Sequence, residues 1–93
     1  MDKKLKAKWV KALRSGKYTQ CVGALFDKAS ETYCCLGVLT KVARRKLDNT
    51  QWDFVQKTLK RDVMNLLWKM NDGVEGQRKH SFPEIADYIE AKL

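Results

Sequence analysis

Long apolar runs are missing from this sequence of 93 residues. No segment approaches the roughly 20 apolar residues that a membrane-spanning helix needs. The first six residues are charged and lack the apolar centre of a signal peptide. We therefore expect no contact with a membrane and a location in the cytoplasm.

Metal-ligand and disulfide patterns are also scarce. The sequence has one histidine, His80, and three cysteines with no C-x-x-C pair. Because a tetrahedral zinc site needs several such ligands at suitable spacing, we expect no metal and no cofactor. The neighbouring Cys34 and Cys35 are poor disulfide partners, since the ring they would close strains the peptide between them. The sequence therefore predicts reduced thiols.

Catalytic patterns are equally sparse. Nucleophilic chemistry needs a thiol or hydroxyl beside a base, whereas His80 lies in a polar segment far in sequence from Cys34. The sequence contains no Walker-type loop and no Rossmann glycine pattern. It favours a binding protein over an enzyme, and we expect no catalytic residues.

Positive charge is what the sequence has in excess. The formal net charge is +8, and it comes from two segments. Residues 1–17 carry seven Lys/Arg against one Asp, and residues 41–61 carry seven against two. Clustered positive charge favours an anionic partner such as nucleic acid, a nucleotide or a membrane surface. The alternative is that the lysines only keep a small domain soluble.

Hydrophobic periodicity predicts one domain over residues 1–93, of the α+β class and mostly helical. Apolar residues at spacings of three and four indicate about four helices, and β-prone residues indicate one β-hairpin between the first and second helix. The predicted elements are helices over residues 3–15, 35–47, 50–70 and from the N-cap Ser81 to about Lys92, with the hairpin over residues 17–34.

Local signals set several boundaries of these elements. Gly16 follows Ser15 as the residue expected to end the first helix. The segment Ser81–Glu84 has the pattern of a capping box, with Pro83 in the first turn. Residues 48–50 are expected to end the second helix, and residues 71–73 to end the third. Gly23 suggests a bulge or a close backbone approach.

The sequence also predicts which side chains are buried and which are solvated. Trp9, Trp52 and Trp68 are predicted to lie in the core. The alternative is that a tryptophan exposed on one side stacks on a base. Thr40, Lys41 and the arginines that follow are predicted to form the solvated face of the second helix. If this basic face has a function, it faces nucleic acid or a second subunit.

The segment Tyr33–Leu39, with the sequence YCCLGVL, lies where the predicted hairpin becomes a helix. As structure, Cys34 and Cys35 are small buried groups and Gly37 allows another backbone to come close. As function, the free N–H groups at the start of this helix would bind a phosphate. The structural interpretation is favoured for both cysteines.

The segment Arg14–Gln20 combines groups suited to a nucleotide. Arg14 can grip a phosphate with two hydrogen bonds, Tyr18 can stack on a base, and Gln20 can read a base edge. The alternative is that Ser15 and Gly16 only stop a helix and Tyr18 only opens a strand. For Ser15 and Gly16 the helix stop is favoured, and for Arg14 and Tyr18 both interpretations stay open.

Four motifs in this order resemble a widespread set of small proteins encoded by bacteriophages. The motifs are WVKALRSGKYTQ at residues 9–20, YCCLGVL at residues 33–39, MNDG at residues 70–73 and SFPEIADYIE at residues 81–90. The resemblance covers nearly the whole chain apart from roughly residues 41–62. The chain departs from the pattern at Cys21, where a glycine is expected, and in the length of the Gly73–His80 loop.

This set is similar to the viral nucleotide sponges of the anti-CBASS type, which hide cyclic oligonucleotide immune signals from the host without hydrolysis. The resemblance implies a homo-oligomer that binds a cyclic di- or trinucleotide in the host bacterial cytoplasm. The ligand-binding residues that it implies are Arg14, Ser15, Lys17, Tyr18, Gln20, Tyr33 and Asn71. A DNA- or RNA-binding phage regulator and an adaptor that blocks a host protein are the alternatives.

Overall fold

A computed structural model describes residues 1–46 and 51–93 of the chain. The elements in these residues are α1 (Lys3–Arg14), β1 (Phe26–Asp27), β2 (Thr32–Tyr33), α2 (Cys35–Val42), α3 (Gln51–Thr58), α4 (Arg61–Asp72) and α5 (Phe82–Lys92). This order confirms a mostly helical α+β fold with one antiparallel hairpin between the first two helices. Leu47 and the predicted break at residues 48–50 lie outside the described residues.

Two helices, α3 and α4, replace the single helix predicted over residues 50–70. Lys60 between them has extended backbone angles, with φ −64° and ψ 148°. A straight helix from Gln51 to Asp72 would measure about 33 Å, which exceeds the longest dimension of the molecule, 29 Å. The break lets Val55 and Leu67, both fully buried, pack in the same core.

Helix α2 forms the centre of the core. Every residue from Cys35 to Thr40 is buried, because α1, α3, α4 and the hairpin all contact this helix. The prediction that Thr40 is solvated was therefore wrong, and its hydroxyl donates to the carbonyl of Leu36 at 3.0 Å. The helix also ends earlier than predicted, at Val42, and Arg44 follows in the left-handed region with φ 59°.

The hairpin is shorter than predicted. Its strands pair Phe26 with Tyr33 and Asp27 with Thr32. Most of the expected first arm runs instead as irregular chain, joined to β2 by a parallel bridge between Gln20 and Tyr33. Contact with α2 holds the hairpin on the helices, as a two-stranded sheet requires for stability.

Gly37 and Gly23 are required for different structural reasons. At Gly37 a Cβ would lie 1.9 Å from the carbonyl oxygen of Leu25, which confirms the predicted close approach. At Gly23 an added Cβ would meet no atom within 4 Å, but the φ of 81° is one that glycine adopts without strain, so this residue forms a turn.

The predicted helix ends at Gly16 and Ser81 are both confirmed. Gly16 has a φ of 76° directly after α1. Ser81 and Glu84 form both hydrogen bonds of a capping box at the start of α5. Within the described residues, no helix has the length and apolar character needed to cross a lipid bilayer.

Candidate functional site

Asn71 and Gln20, two of the seven expected ligand residues, belong to a buried network. Asn71 is fully buried near the end of α4. Its Oδ1 accepts from the backbone N–H of Cys35 at 3.1 Å and from Gln20 Nε2 at 2.9 Å. Its Nδ2 donates to the carbonyl of Cys21 and to Asp72 Oδ1, each at 2.8 Å. Both side chains therefore tie the irregular chain after α1 to α4 and α2.

Arg14 has internal partners as well. Its guanidinium donates to Asp87 Oδ1 at 2.7 Å and to Glu90 Oε2 at 3.0 Å, so it bridges α1 to α5. Hydrogen bonds to Glu90 and then to Asp87 raise the pKa of Arg14, and the same contact lowers the pKa of Glu90. A phosphate at this site would have to compete with two carboxylates.

Ser15 and the two tyrosines have mainly local contacts. The Ser15 hydroxyl donates to the carbonyl of Ala12 at 2.7 Å and accepts from the N–H of Lys17 at 3.2 Å, as a helix stop does. Tyr33 packs against Phe26 and meets the Tyr18 ring edge-to-face, with ring centroids 5.1 Å apart. Tyr33 thereby sets the position of Tyr18.

The Cys34–Cys35 junction has its first N–H groups directed at other protein atoms. The N–H of Cys34 donates to the carbonyl of Leu25, and that of Cys35 donates to Asn71. Leu36 and Gly37, which follow in the first turn of α2, are both buried. The phosphate site considered for this junction is therefore not formed.

The thiols of the junction are unsuited to nucleophilic chemistry. Burial raises the pKa of Cys34 to about 12, and burial raises the pKa of Cys35 well above its ordinary value. Since the thiolate is the reactive form, both groups stay protonated at neutral pH. The structural interpretation of both cysteines agrees with this environment.

A groove of about 350 Å³ lies where α1, the chain after it and the end of α2 meet. We call it the basic groove, because five of its lining residues are cationic: Lys8, Lys11, Lys17, Lys41 and Arg44. Tyr18, which is half-buried, supplies an aromatic ring, and Ser15 supplies a hydroxyl. Three of the expected ligand residues, Ser15, Lys17 and Tyr18, are thus brought together here.

Helix spacing and one turn explain how the sequence builds the basic groove. Lys8 and Lys11 are three residues apart on α1, so they lie on the same side of that helix. The packing of α1 on α2 places Lys41 and Arg44 opposite them. The left-handed turn at Gly16 then returns the chain so that Lys17 and Tyr18 reach the same groove.

The charge of the basic groove is not neutralised by the described part of the chain. Within residues 1–46 and 51–93, no ion pair involves any of its five cations. The periodicity of α1 places Lys8 and Lys11 on its solvated side, where both are exposed, and does not by itself predict a groove. The sequence signal that could have identified the groove is the pair of basic segments, because each segment contributes cations to it.

A larger groove of about 800 Å³ lies along the other side of α1, beside α5. Its floor is apolar at Ala7 and Val10, and its cations include Lys3 and Lys6. Glu90 and the neutralised Arg14 also line it, so its net charge is lower than that of the basic groove. We therefore take the basic groove as the candidate site for an anion.

Residues 1–65 match the family model described as a domain of unknown function, DUF8296. Because the match spans more than half of the sequence, the chain belongs to this family. All cationic residues of the basic groove lie within the matched range. No curated protein and no solved structure matches the chain.

Proposed function

We propose that this DUF8296 protein binds a phosphate-bearing nucleotide ligand in the basic groove and carries out no reaction on it. The observation that supports this proposal is the convergence of five cations around Tyr18 without a carboxylate partner among the described residues. Lysine and arginine are the usual partners of phosphate oxygens, and a tyrosine ring can stack on a base.

The ligand that we propose is a cyclic di- or trinucleotide, which the protein sequesters during phage infection of a bacterium. The resemblance to sponges of the anti-CBASS type supports this choice, and so does the volume of about 350 Å³, which falls in the range of small-molecule sites. We propose a homo-oligomer in the host cytoplasm as the functional form.

The residues proposed to contact the ligand differ in part from those implied by the resemblance. Lys17 and Tyr18 remain in the proposal, with Ser15 as a hydroxyl beside them, and Lys8, Lys11, Lys41 and Arg44 join them. Arg14, Gln20 and Asn71 serve the fold through internal contacts. Tyr33 acts through its contact with the Tyr18 ring.

Binding of cyclic dinucleotides and trinucleotides by a charge-reduced variant tests this proposal. The double variant Lys11→Ala/Lys41→Ala removes a cation from each wall of the basic groove. We expect its affinity, measured by isothermal titration calorimetry, to fall about tenfold or more, since a charged hydrogen bond contributes about 1.5–3 kcal/mol and about 1.4 kcal/mol is tenfold.

The matched control is Lys28→Ala/Lys57→Ala, which removes the same charge from exposed positions on the hairpin loop and α3. It should bind as the parent protein does. Ligand released by heating should be chemically intact, and a native mass spectrum should show an oligomer carrying the ligand. No binding of any cyclic nucleotide, equal losses in both variants, or cleavage of the ligand would contradict the proposal.

A nucleic-acid backbone is the second candidate ligand. The observation that favours it is that Lys11 and Ser15 line both the basic groove and the larger groove, so cations extend around α1. If duplex DNA contacts all five cations of the basic groove, the logarithm of the affinity should fall against the logarithm of salt with a slope of about −4 to −5. A gel shift with this slope, without binding of cyclic nucleotides, would favour this candidate over the sponge.

A further inference from the structure

A second concave site, separate from the basic groove, lies between α3, α4 and the turn at Gly23. It encloses about 420 Å³, and its apolar walls are formed by Trp52, Trp68, Met64 and Cys34. We call it the tryptophan pocket. Trp52 is 39% exposed, contrary to its predicted place in the core. The Trp52 indole therefore remains available to a ligand. Trp68, on the other helix, is partly buried against the core, and Lys69 Nζ lies 5.9 Å from the centroid of its ring.

Asp72 is the one charged side chain among the described residues that line the tryptophan pocket. Its Oδ2 accepts from the N–H of Gly23 at 3.1 Å, and its Oδ1 accepts from Asn71 Nδ2 at 2.8 Å. These bonds fix the plane of the carboxylate. A carboxylate has about four acceptor positions, so one on each oxygen remains for a ligand.

The indoles and the Asp72 carboxylate favour a ligand that is aromatic and donates hydrogen bonds, whereas the cations of the basic groove favour an anion. The indoles favour a flat aromatic ring, because base–aromatic stacking contributes about 1–3 kcal/mol. The carboxylate accepts hydrogen bonds and repels an anion. A flat ring that carries two N–H donors on the same edge meets both conditions, and among the common nucleobases guanine presents such an edge through N1–H and N2–H.

We propose that the tryptophan pocket binds a guanine base, with Asp72 accepting from N1–H and N2–H while the ring lies against Trp52. The volume of the pocket falls within the range of small-molecule sites. The proposal does not depend on the basic groove, because the two sites share no lining residue. It can be tested with nucleosides, which carry no phosphate.

Titration of the isotopically labelled full chain with guanosine, inosine and adenosine, followed by two-dimensional NMR, tests the proposal. Guanosine should shift the indole N–H signals of Trp52 and Trp68. The Trp9 signal should stay in place, because that N–H is buried and donates to the carbonyl of Cys35 at 2.9 Å. Inosine lacks the N2 donor and should bind about tenfold more weakly or worse, given the strength of a hydrogen bond to a charged group. Adenosine lacks both donors and should bind more weakly still.

The variant Trp52→Ala is suited to this test, because an exposed side chain contributes little to the core. It should keep the folded spectrum and lose guanosine binding about tenfold or more. The proposal is overturned if guanosine leaves both indole signals unchanged up to its solubility limit, if adenosine binds as well as guanosine, or if Trp52→Ala binds guanosine normally. Tetramethylammonium, a probe for a cation–π site, should produce no shift, and shifts with this cation instead of guanosine would also overturn it.

Discussion

Asn71 uses both polar atoms of its side chain for hydrogen bonds to other parts of the chain. It comes from a motif that the resemblance associates with ligand binding, yet it is fully buried. An amide with four polar partners in the fold has none left for a nucleotide. At the scale of single residues, a polar side chain in a motif is therefore as informative about packing as about binding.

Gly37→Ala is the sharpest test at this scale. Helix propensity alone favours alanine by about 1 kcal/mol, but the added Cβ would lie 1.9 Å from the Leu25 carbonyl oxygen. Because that atom belongs to the backbone, we expect a loss of about 3 kcal/mol or more in the free energy of unfolding, measured in urea.

The control for this variant is Gly16→Ala, where no atom lies within 4 Å and the cost comes only from a φ of 76°. Its expected loss is about 1 kcal/mol. A Gly37→Ala protein as stable as the parent would show that the close approach of α2 to the Leu25 carbonyl is not present.

At the scale of elements, Glu84 at the start of helix α5 takes part in both a capping box and an ion pair. Glu84 reaches back to the N–H of Ser81 at 3.0 Å, and Arg78 from the preceding loop forms an ion pair with it. The hydrogen bond from Arg78 and then that from Ser81 lower the pKa of Glu84 to about 2. The start of α5 is thus sensitive to acid.

Glu84→Gln tests this arrangement through pH. Because the folded state lowers this pKa from 4.5 to about 2, its stabilisation is complete above about pH 4.5 and is lost as pH falls toward 2. Glutamine keeps the capping box but not the charge. Between about pH 4.5 and pH 2, we expect the midpoint temperature of thermal unfolding to fall less in the variant than in the parent.

The matched control is Glu31→Gln, which makes the same change at an exposed position in the hairpin loop. Its thermal midpoint should follow that of the parent at every pH. If Glu84→Gln and the parent show the same acid dependence, the pair with Arg78 contributes nothing to stability.

Apolar periodicity predicts the ends of some helices better than those of others. Apolar spacing placed α1 and α5 within a residue or so, because caps such as Gly16 and Ser81 mark their ends. The same spacing continued unbroken across Lys60, where no glycine or proline marks a break. The break is seen only in the structure, where it brings Val55 and Leu67 into the same core.

At the scale of the whole molecule, the two candidate sites carry opposite charge. The basic groove gathers cations from α1, α2 and the chain that follows each of them, while the tryptophan pocket has Asp72 as the charged group among its described lining residues. The net charge of +8 is therefore not shared by both sites. An anion should affect the protein mainly through the basic groove.

Thermal unfolding with and without a cyclic nucleotide tests that expectation. A ligand at about 100 times its Kd stabilises a protein by about 2.7 kcal/mol, which for a domain of this size corresponds to a rise in Tm of about 10 °C or more. The rise should shrink as salt is added, because salt screens exposed charges. The Lys11→Ala/Lys41→Ala variant should show about half of this rise or less, because a tenfold weaker affinity leaves a stabilisation of about 1.4 kcal/mol at the same ligand concentration. An undiminished rise in that variant would place the ligand elsewhere.

The sequence by itself determined the class of the fold, the uneven positive charge, the capped helix ends and the burial of Cys34 and Cys35. These features depend on residues close together in the chain, so spacing and local chemistry are sufficient to predict them. Tertiary structure alone decided which polar groups remain available. Arg14 meets Glu90 across 76 positions and Gln20 meets Asn71 across 51, and no local pattern specifies such partners. The packing of α1 on α2 likewise decided which lysines share a groove, because their proximity exists only once the core has formed.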